Sequence, residues 1–176
     1  MIETSQTVTV AAPLEATWDY ACAVERWAEI MPGYQSCEIA DADNSLWVLK
    51  IGVGGLVRTV RVAVHVERWA GPQEVDFAFR LQGDPVEGSG SYRAKASDGG
   101  TDVTLAVQVR GSGPMAPMWE AMGGPVLPRF ARGFAEELKA RIEAQAGGVA
   151  PKPVPAPSLI ERVIAWFRRF FAPSQT

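Results

Sequence analysis

Val60-Arg61-Val62-Ala63-Val64-His65-Val66-Glu67 is the stretch that decides the fold. Valine fills every even position, whereas the odd positions hold Arg61, Ala63, His65 and Glu67. A two-residue period is that of a β-strand with one face turned to a core; a helix would scatter these valines around its circumference. The alternation recurs in Phe77, Phe79 and Leu81 and again in Val103, Leu105, Val107 and Val109. Strands are predicted over 34–42, 46–52, 56–69, 75–82, 88–97 and 102–110, parted by turn signals such as Asp43-Asn44, Gly71-Pro72 and Asp98-Gly99-Gly100. Connections this short imply an antiparallel meander, because a parallel pair needs a long crossover.

Upstream, residues 6–11 alternate as a further strand, and Pro13 stands where a helix favours its first residue. A second short helix over 24–30 stops at Pro32-Gly33. Downstream, the Gly/Pro/Met-rich stretch from Gly111 to Pro128 contains glycines and prolines that are expected to deny Met115 to Pro128 a regular helix. A helix follows over 126–143, with Leu127, Phe130, Phe134, Leu138 and Ile142 on one stripe. That stripe needs an apolar surface, and the valine face of the sheet is the one available. The expected architecture is α+β: a strand, two small helices, a curved six-stranded antiparallel meander and a long closing helix, together forming a domain over residues 1–144. Residues 145–157 carry prolines at 151, 153, 155 and 157 and read as a semi-rigid linker reaching roughly 30 to 40 Å. Residues 158–176 form a separate amphipathic segment.

Composition excludes several classes of chemistry. With His65 the only histidine, a multi-histidine metal site is impossible, and the strand period sends His65 to the solvent face. There is no Walker loop, and the glycine pairs Gly52/Gly54 and Gly88/Gly90 lack the spacing of a dinucleotide turn. Cys22 and Cys37 have neither C-x-x-C spacing nor scaffold density, and both are expected to be reduced. No apolar run is long enough to span a bilayer, and Met1 to Val10 does not have the pattern of a leader peptide. The net charge of −3 conceals an asymmetry: residues 145–176 carry +3 and residues 1–144 carry −6, and an acidic body argues against a nucleic-acid partner.

Six tryptophans and seven phenylalanines are a surplus of aromatic bulk for one small core. Trp18, Trp27, Tyr34, Trp47, Phe77, Phe79, Tyr92, Phe130 and Phe134 fall where they either fill the space between sheet and closing helix or line a cavity there, with Met31 and Val62 beside them. Met115, Met118, Trp119 and Met122 lie among glycines and prolines and either complete the core or form an adaptable gate. Asp76, Asp84, Glu87 and Glu120 would serve acid/base work only if buried with a raised pKa, and a solvated position is the expectation for each. In the tail, Ser158 and Glu161 have capping-box spacing. Leu159, Ile160, Val163, Ile164, Trp166, Phe167, Phe170 and Phe171 share roughly 160° of arc, opposite Arg162, Arg168 and Arg169. A helix over 158–171 would be about 20 Å long, too short to cross a bilayer and suited to lie in its headgroup plane. A partner's groove and the parent domain are the other surfaces such a helix fits.

The order of elements resembles the START-like helix-grip (SRPBCC) superfamily, and within it the CoxG-like family associated with carbon monoxide dehydrogenase. The residues that carry the resemblance are Ala12-Pro13 with Thr17-Trp18, Met31-Pro32-Gly33, Lys50-Ile51-Gly52-Val53-Gly54 and Gly99-Gly100-Thr101, in that order, over residues 5–144. The chain departs from that family at Tyr34, where cysteine is frequent, and in the Met/Pro-rich segment with Trp119. The resemblance implies a helix-grip fold enclosing an apolar cavity and a non-enzymatic protein that binds a hydrophobic small molecule. In that family the ligand is a quinone, menaquinone or ubiquinone, and the partner a molybdenum-containing dehydrogenase at the inner face of the cell membrane. The expected location is therefore cytoplasmic and peripheral to the membrane. A cyclase/aromatase-type enzyme of the same fold, or an adaptor with a filled core, are the other readings.

Overall fold

A computed structural model describes residues 1–53 and 55–147. The linker beyond 147 and the amphipathic segment, including every tail residue from Leu159 to Phe171, lie outside the described residues.

The order is β1 (Ile2–Val10), α1 (Leu14–Ala21), α2 (Val24–Ile30), β2 (Tyr34–Ile39), β3 (Asn44–Val53), β4 (Leu56–Ala70), β5 (Glu74–Leu81), β6 (Val86–Ser97), β7 (Gly100–Gly111), α3 (Ala116–Gly123) and α4 (Leu127–Ala146). The seven strands form one antiparallel sheet in the order β1-β7-β6-β5-β4-β3-β2. The first and last strands in sequence are therefore neighbours, and the rest follow as a meander. The two-residue period holds: Val60, Val62, Val64, Val66, Val103 and Leu105 are buried, while Arg61, His65 and Glu67 are exposed. The His65 side chain hydrogen-bonds Asn44, with Nδ1 2.9 Å from Oδ1. Both cysteines are free.

α4 lies across this inner face with Ala131, Ala135, Leu138 and Ile142 buried. Small residues at 131 and 135 let its axis approach, and Leu138 and Ile142 lock its second half beside β1. Polar contacts fix the same end: Lys139 Nζ donates to the Thr9 carbonyl at 2.7 Å, and the Ala11 N–H donates to Glu143 Oε1 at 2.8 Å.

Two readings of the sequence need correction. Met115 to Pro128 is not irregular, since Ala116–Gly123 forms α3. Pro117 sits in the first turn, where its missing N–H would have had no intrahelical partner, and Gly123 and Gly124 close the helix instead of breaking it. The closing helix also runs to Ala146, three residues beyond its predicted end, taking the first two residues assigned to the linker.

Alternate hairpins of a meander point to opposite ends of the sheet. The β3–β4 and β5–β6 turns lie at one end, with the start of β1, where Ile2 approaches Gly123, and with α3. The β2–β3, β4–β5 and β6–β7 turns lie at the other, with the C-terminal end of α4.

Candidate functional site

Between the inner face of the sheet and α2, α3 and α4 is a cavity of about 290 Å³. Trp47, Leu49 and Ile51 of β3, Val60, Val62 and Val64 of β4, and Phe77, Phe79 and Leu81 of β5 form its floor. Leu105, Val107 and Val109 extend the floor along β7, and Ile2 along β1. Trp27 of α2 and Met31 just after it supply one wall, Trp119 and Met122 of α3 another, and Leu127, Phe130, Ala131 and Phe134 a roof from α4. Among the described lining residues Ser91 and Glu120 are the polar exceptions, and there is no Lys, Arg, His or Asp.

Two glycines set the floor. In the β5–β6 ladder Phe77 stands opposite Gly90 and Phe79 opposite Gly88. A Cβ at Gly90 would lie 2.4 Å from the Phe77 ring, and one at Gly88 2.4 Å from the Phe79 ring. The two rings fold over the bare backbone of β6, which leaves depth above them for the cavity.

The far end of the cavity is closed by stacked aromatics. Trp27 meets Phe77 edge-on at 5.6 Å and Tyr92 at 6.2 Å; Tyr92 then meets Trp18 at 6.3 Å, and Trp18 meets Trp69 at 6.2 Å. Burial raises the Tyr92 phenol well above its ordinary pKa. The Tyr92 hydroxyl and the Trp27 indole N–H are both buried with no hydrogen-bond partner among the described residues.

Ten of the fourteen residues singled out for ligand binding are brought together here: Trp27, Met31, Trp47, Val62, Phe77, Phe79, Trp119, Met122, Phe130 and Phe134. Four lie elsewhere. Tyr92 is beneath Trp27 and Trp18 in the closed end; Trp18 spans from Tyr92 to Trp69; Tyr34 packs half-buried on the core from the edge strand; Met118 is exposed on α3. Aromatic content cannot separate wall from support, because both kinds of position want large apolar rings. Sequence reading also missed Ile2, which the alternation from Ile2 to Val10 carries in when followed back to its start.

The carboxylates are tied up in ion pairs. Asp76 accepts from Arg93 at 2.5 Å and from Arg68 at 2.7 Å, and these bonds hold its pKa below the ordinary carboxylate range, Arg93 contributing most. Asp84 pairs with Arg58 at 2.9 Å and Glu87 with Arg110. Glu120 pairs with the Met1 amine at 2.6 Å, which depresses its pKa. No group of three or more His, Cys, Asp or Glu among the described residues has metal-holding geometry. No helix among the described residues is long and apolar enough to cross a membrane.

A curved antiparallel sheet gripping a long helix around an apolar cavity is the START/helix-grip α+β fold. Residues 1–143 match the model of the polyketide cyclase / dehydrase and lipid transport family, and the chain belongs to that family. No curated protein matches the sequence. Among solved structures, a conserved protein from Geobacillus kaustophilus is similar at 17% identity, with a TM-score of 0.69 over 80% of this chain and 95% of its own. The Zhui aromatase/cyclase from Streptomyces sp. R1128 is similar at 21% identity and a TM-score of 0.59, covering 84% of this chain and 98% of its own. A START superfamily protein from Mycobacterium smegmatis has 18% identity and a TM-score of 0.59 over 80% of this chain and 97% of its own. At these identities the likeness is one of fold.

Proposed function

We propose that the domain is a carrier for an uncharged hydrophobic small molecule, an isoprenoid quinone such as menaquinone or ubiquinone or a lipid of similar shape, and that it performs no chemistry on it. The cavity carries this reading: its lining is almost wholly apolar, and a flexible lipid needs such a wall with few polar groups. The lining argues against an anionic ligand: among the described residues it holds no Lys, Arg or His to meet a headgroup.

The family also contains cyclases, and a cyclase needs a polar acid/base pair facing its substrate. The lining offers Ser91 and Glu120, and Glu120 is held ionised by the Met1 amine, the opposite of the raised pKa a general acid requires. The tail over 158–171 supplies the second half of the proposal. Its apolar face and arginines suit an in-plane helix on anionic lipid, holding the carrier at the inner face of the cell membrane, where it would serve a carbon monoxide dehydrogenase-like molybdenum enzyme.

Organic extraction of the purified protein, followed by equilibrium binding of phylloquinone delivered from cyclodextrin, tests the carrier reading. Bound lipid or saturable quinone binding is expected, and Val62→Trp, which fills the cavity floor, should abolish it at a strain cost of about 1 to 3 kcal/mol. Extraction without lipid together with no quinone binding would overturn it.

A further inference from the structure

Exposed apolar side chains concentrate at one end of the domain. Leu56 is 76% exposed and Val57 59% exposed at the start of β4, and Met115, Met118 and Met122 are exposed on or beside α3. Leu56 and Arg58 share the inward parity of Val60 and Val62 but lie beyond the core, so they overhang the cavity. The Arg58 guanidinium reaches across to within 6.0 Å of the Trp119 ring centre and also binds Asp84 in the β5–β6 turn. Hairpin, turn and α3 thus frame one opening, with Ile51, Leu81, Val86, Trp119 and Met122 on its inner side. A water-facing rim of this kind has no folding benefit.

We propose that this end of the domain docks on an anionic lipid bilayer, with Leu56, Val57, Met118 and Met122 entering the headgroup layer, so that the cavity opens directly onto the acyl phase. The proposal rests on the carrier reading and adds to it the surface through which cargo moves. An apolar molecule leaving such a cavity through water bears the full cost of hydration, whereas a mouth seated on the bilayer removes that step.

One further observation favours a membrane over a protein partner. Lys50, beside lining residue Ile51, and Arg129 and Arg132, interleaved with lining residues Leu127, Phe130 and Ala131, are exposed and make no ion pair among the described residues, which leaves a basic collar for anionic headgroups. The length of chain beyond α4 is compatible with this placement. α4 starts at the mouth and ends at the opposite pole after 20 residues, about 30 Å away. The proline-bearing stretch from 148 to 157 reaches roughly 30 Å when extended, enough for the segment over 158–171 to return to the plane of the mouth.

The test uses the full chain with Cys22→Ser and Cys37→Ala and a single environment-sensitive fluorophore on Val57→Cys or, at the far pole, on Lys95→Cys. On phosphatidylcholine vesicles containing about one third phosphatidylglycerol, the label at 57 should brighten and shift to the blue while the label at 95 stays in water. Leu56→Asp should slow phylloquinone loading from those vesicles about tenfold and leave loading from cyclodextrin unchanged. Arg129→Glu with Arg132→Glu should slow vesicle loading most at low salt, a charge effect that a misfolded protein would not reproduce. A label at 57 that stays in water, equal responses at both positions, or no vesicle binding would overturn the docking proposal. Failure of phylloquinone to bind from cyclodextrin would instead sink the carrier reading, and the two labels would still decide where lipid is touched.

Discussion

Gly90 and Tyr92 sit two residues apart on β6 and have opposite relations to the space around them. Gly90 has no room for another atom: a methyl group there meets the Phe77 ring at 2.4 Å and the Ala106 carbonyl at 2.9 Å. Gly90→Ala should therefore destabilise the protein by about 1 to 3 kcal/mol in urea unfolding, and should also weaken quinone binding by lifting Phe77 into the cavity. Tyr92 has the reverse problem, since its ring is packed on Trp18 and Trp27 but its hydroxyl has no partner among the described residues. Removing the hydroxyl keeps the packing and relieves a desolvated group, so Tyr92→Phe should raise stability by about 1 kcal/mol or more. A loss of stability would reveal a hydrogen bond that the protein atoms do not provide. The G-x-G of β6 is visible in the sequence, but its spacing says only that it is not a dinucleotide turn. Its meaning depends on standing opposite the F-x-F of β5, a long-range register that no local pattern prints.

At the scale of elements, strand period carried most of the fold, and the long closing helix followed from the need to cover the valine face. What the pattern misjudged was α3. Local propensity counts Pro117 and the flanking glycines as breakers, whereas their positions at the first turn and the end make them compatible with a short helix. α3 makes few contacts besides those with β7 and buries none of its residues fully, so its amides should exchange quickly in the empty protein and more slowly once phylloquinone fills the cavity. Equal exchange in both states, followed by mass spectrometry of peptides from Ala116–Gly123, would leave Trp119 and Met122 as static wall. On the outer face, Asp76 ties β4, β5 and β6 together through Arg68 and Arg93. Its pKa is lower in the folded than in the unfolded chain, so the unfolded chain takes up its proton first as the solution is acidified. The stabilisation is complete above the ordinary value of about 3.9 and is lost as pH falls through the depressed folded value. Asp76→Asn should therefore lower the midpoint of urea unfolding at pH 7 and flatten its dependence on pH below about 4, relative to the unsubstituted chain.

At the scale of the whole molecule the cavity mouth and the C-terminal end of α4 are at opposite poles, and the tail must cross that distance to act beside the mouth. Deleting residues 151–157 removes all four linker prolines and cuts the reach beyond α4 to about 10 Å. If residues 158–171 bind lipid as proposed, they would still hold the protein on anionic vesicles, but they would now pull the wrong pole towards the lipid. Co-sedimentation with vesicles should persist, therefore, while phylloquinone loading from the same vesicles drops about tenfold and loading from cyclodextrin is unchanged. Replacing the deleted stretch with a Gly/Ser sequence of equal length should restore part of the loading, because reach matters first and stiffness second. Loading that is indifferent to linker length would mean that cargo enters without the mouth and the tail sharing one surface.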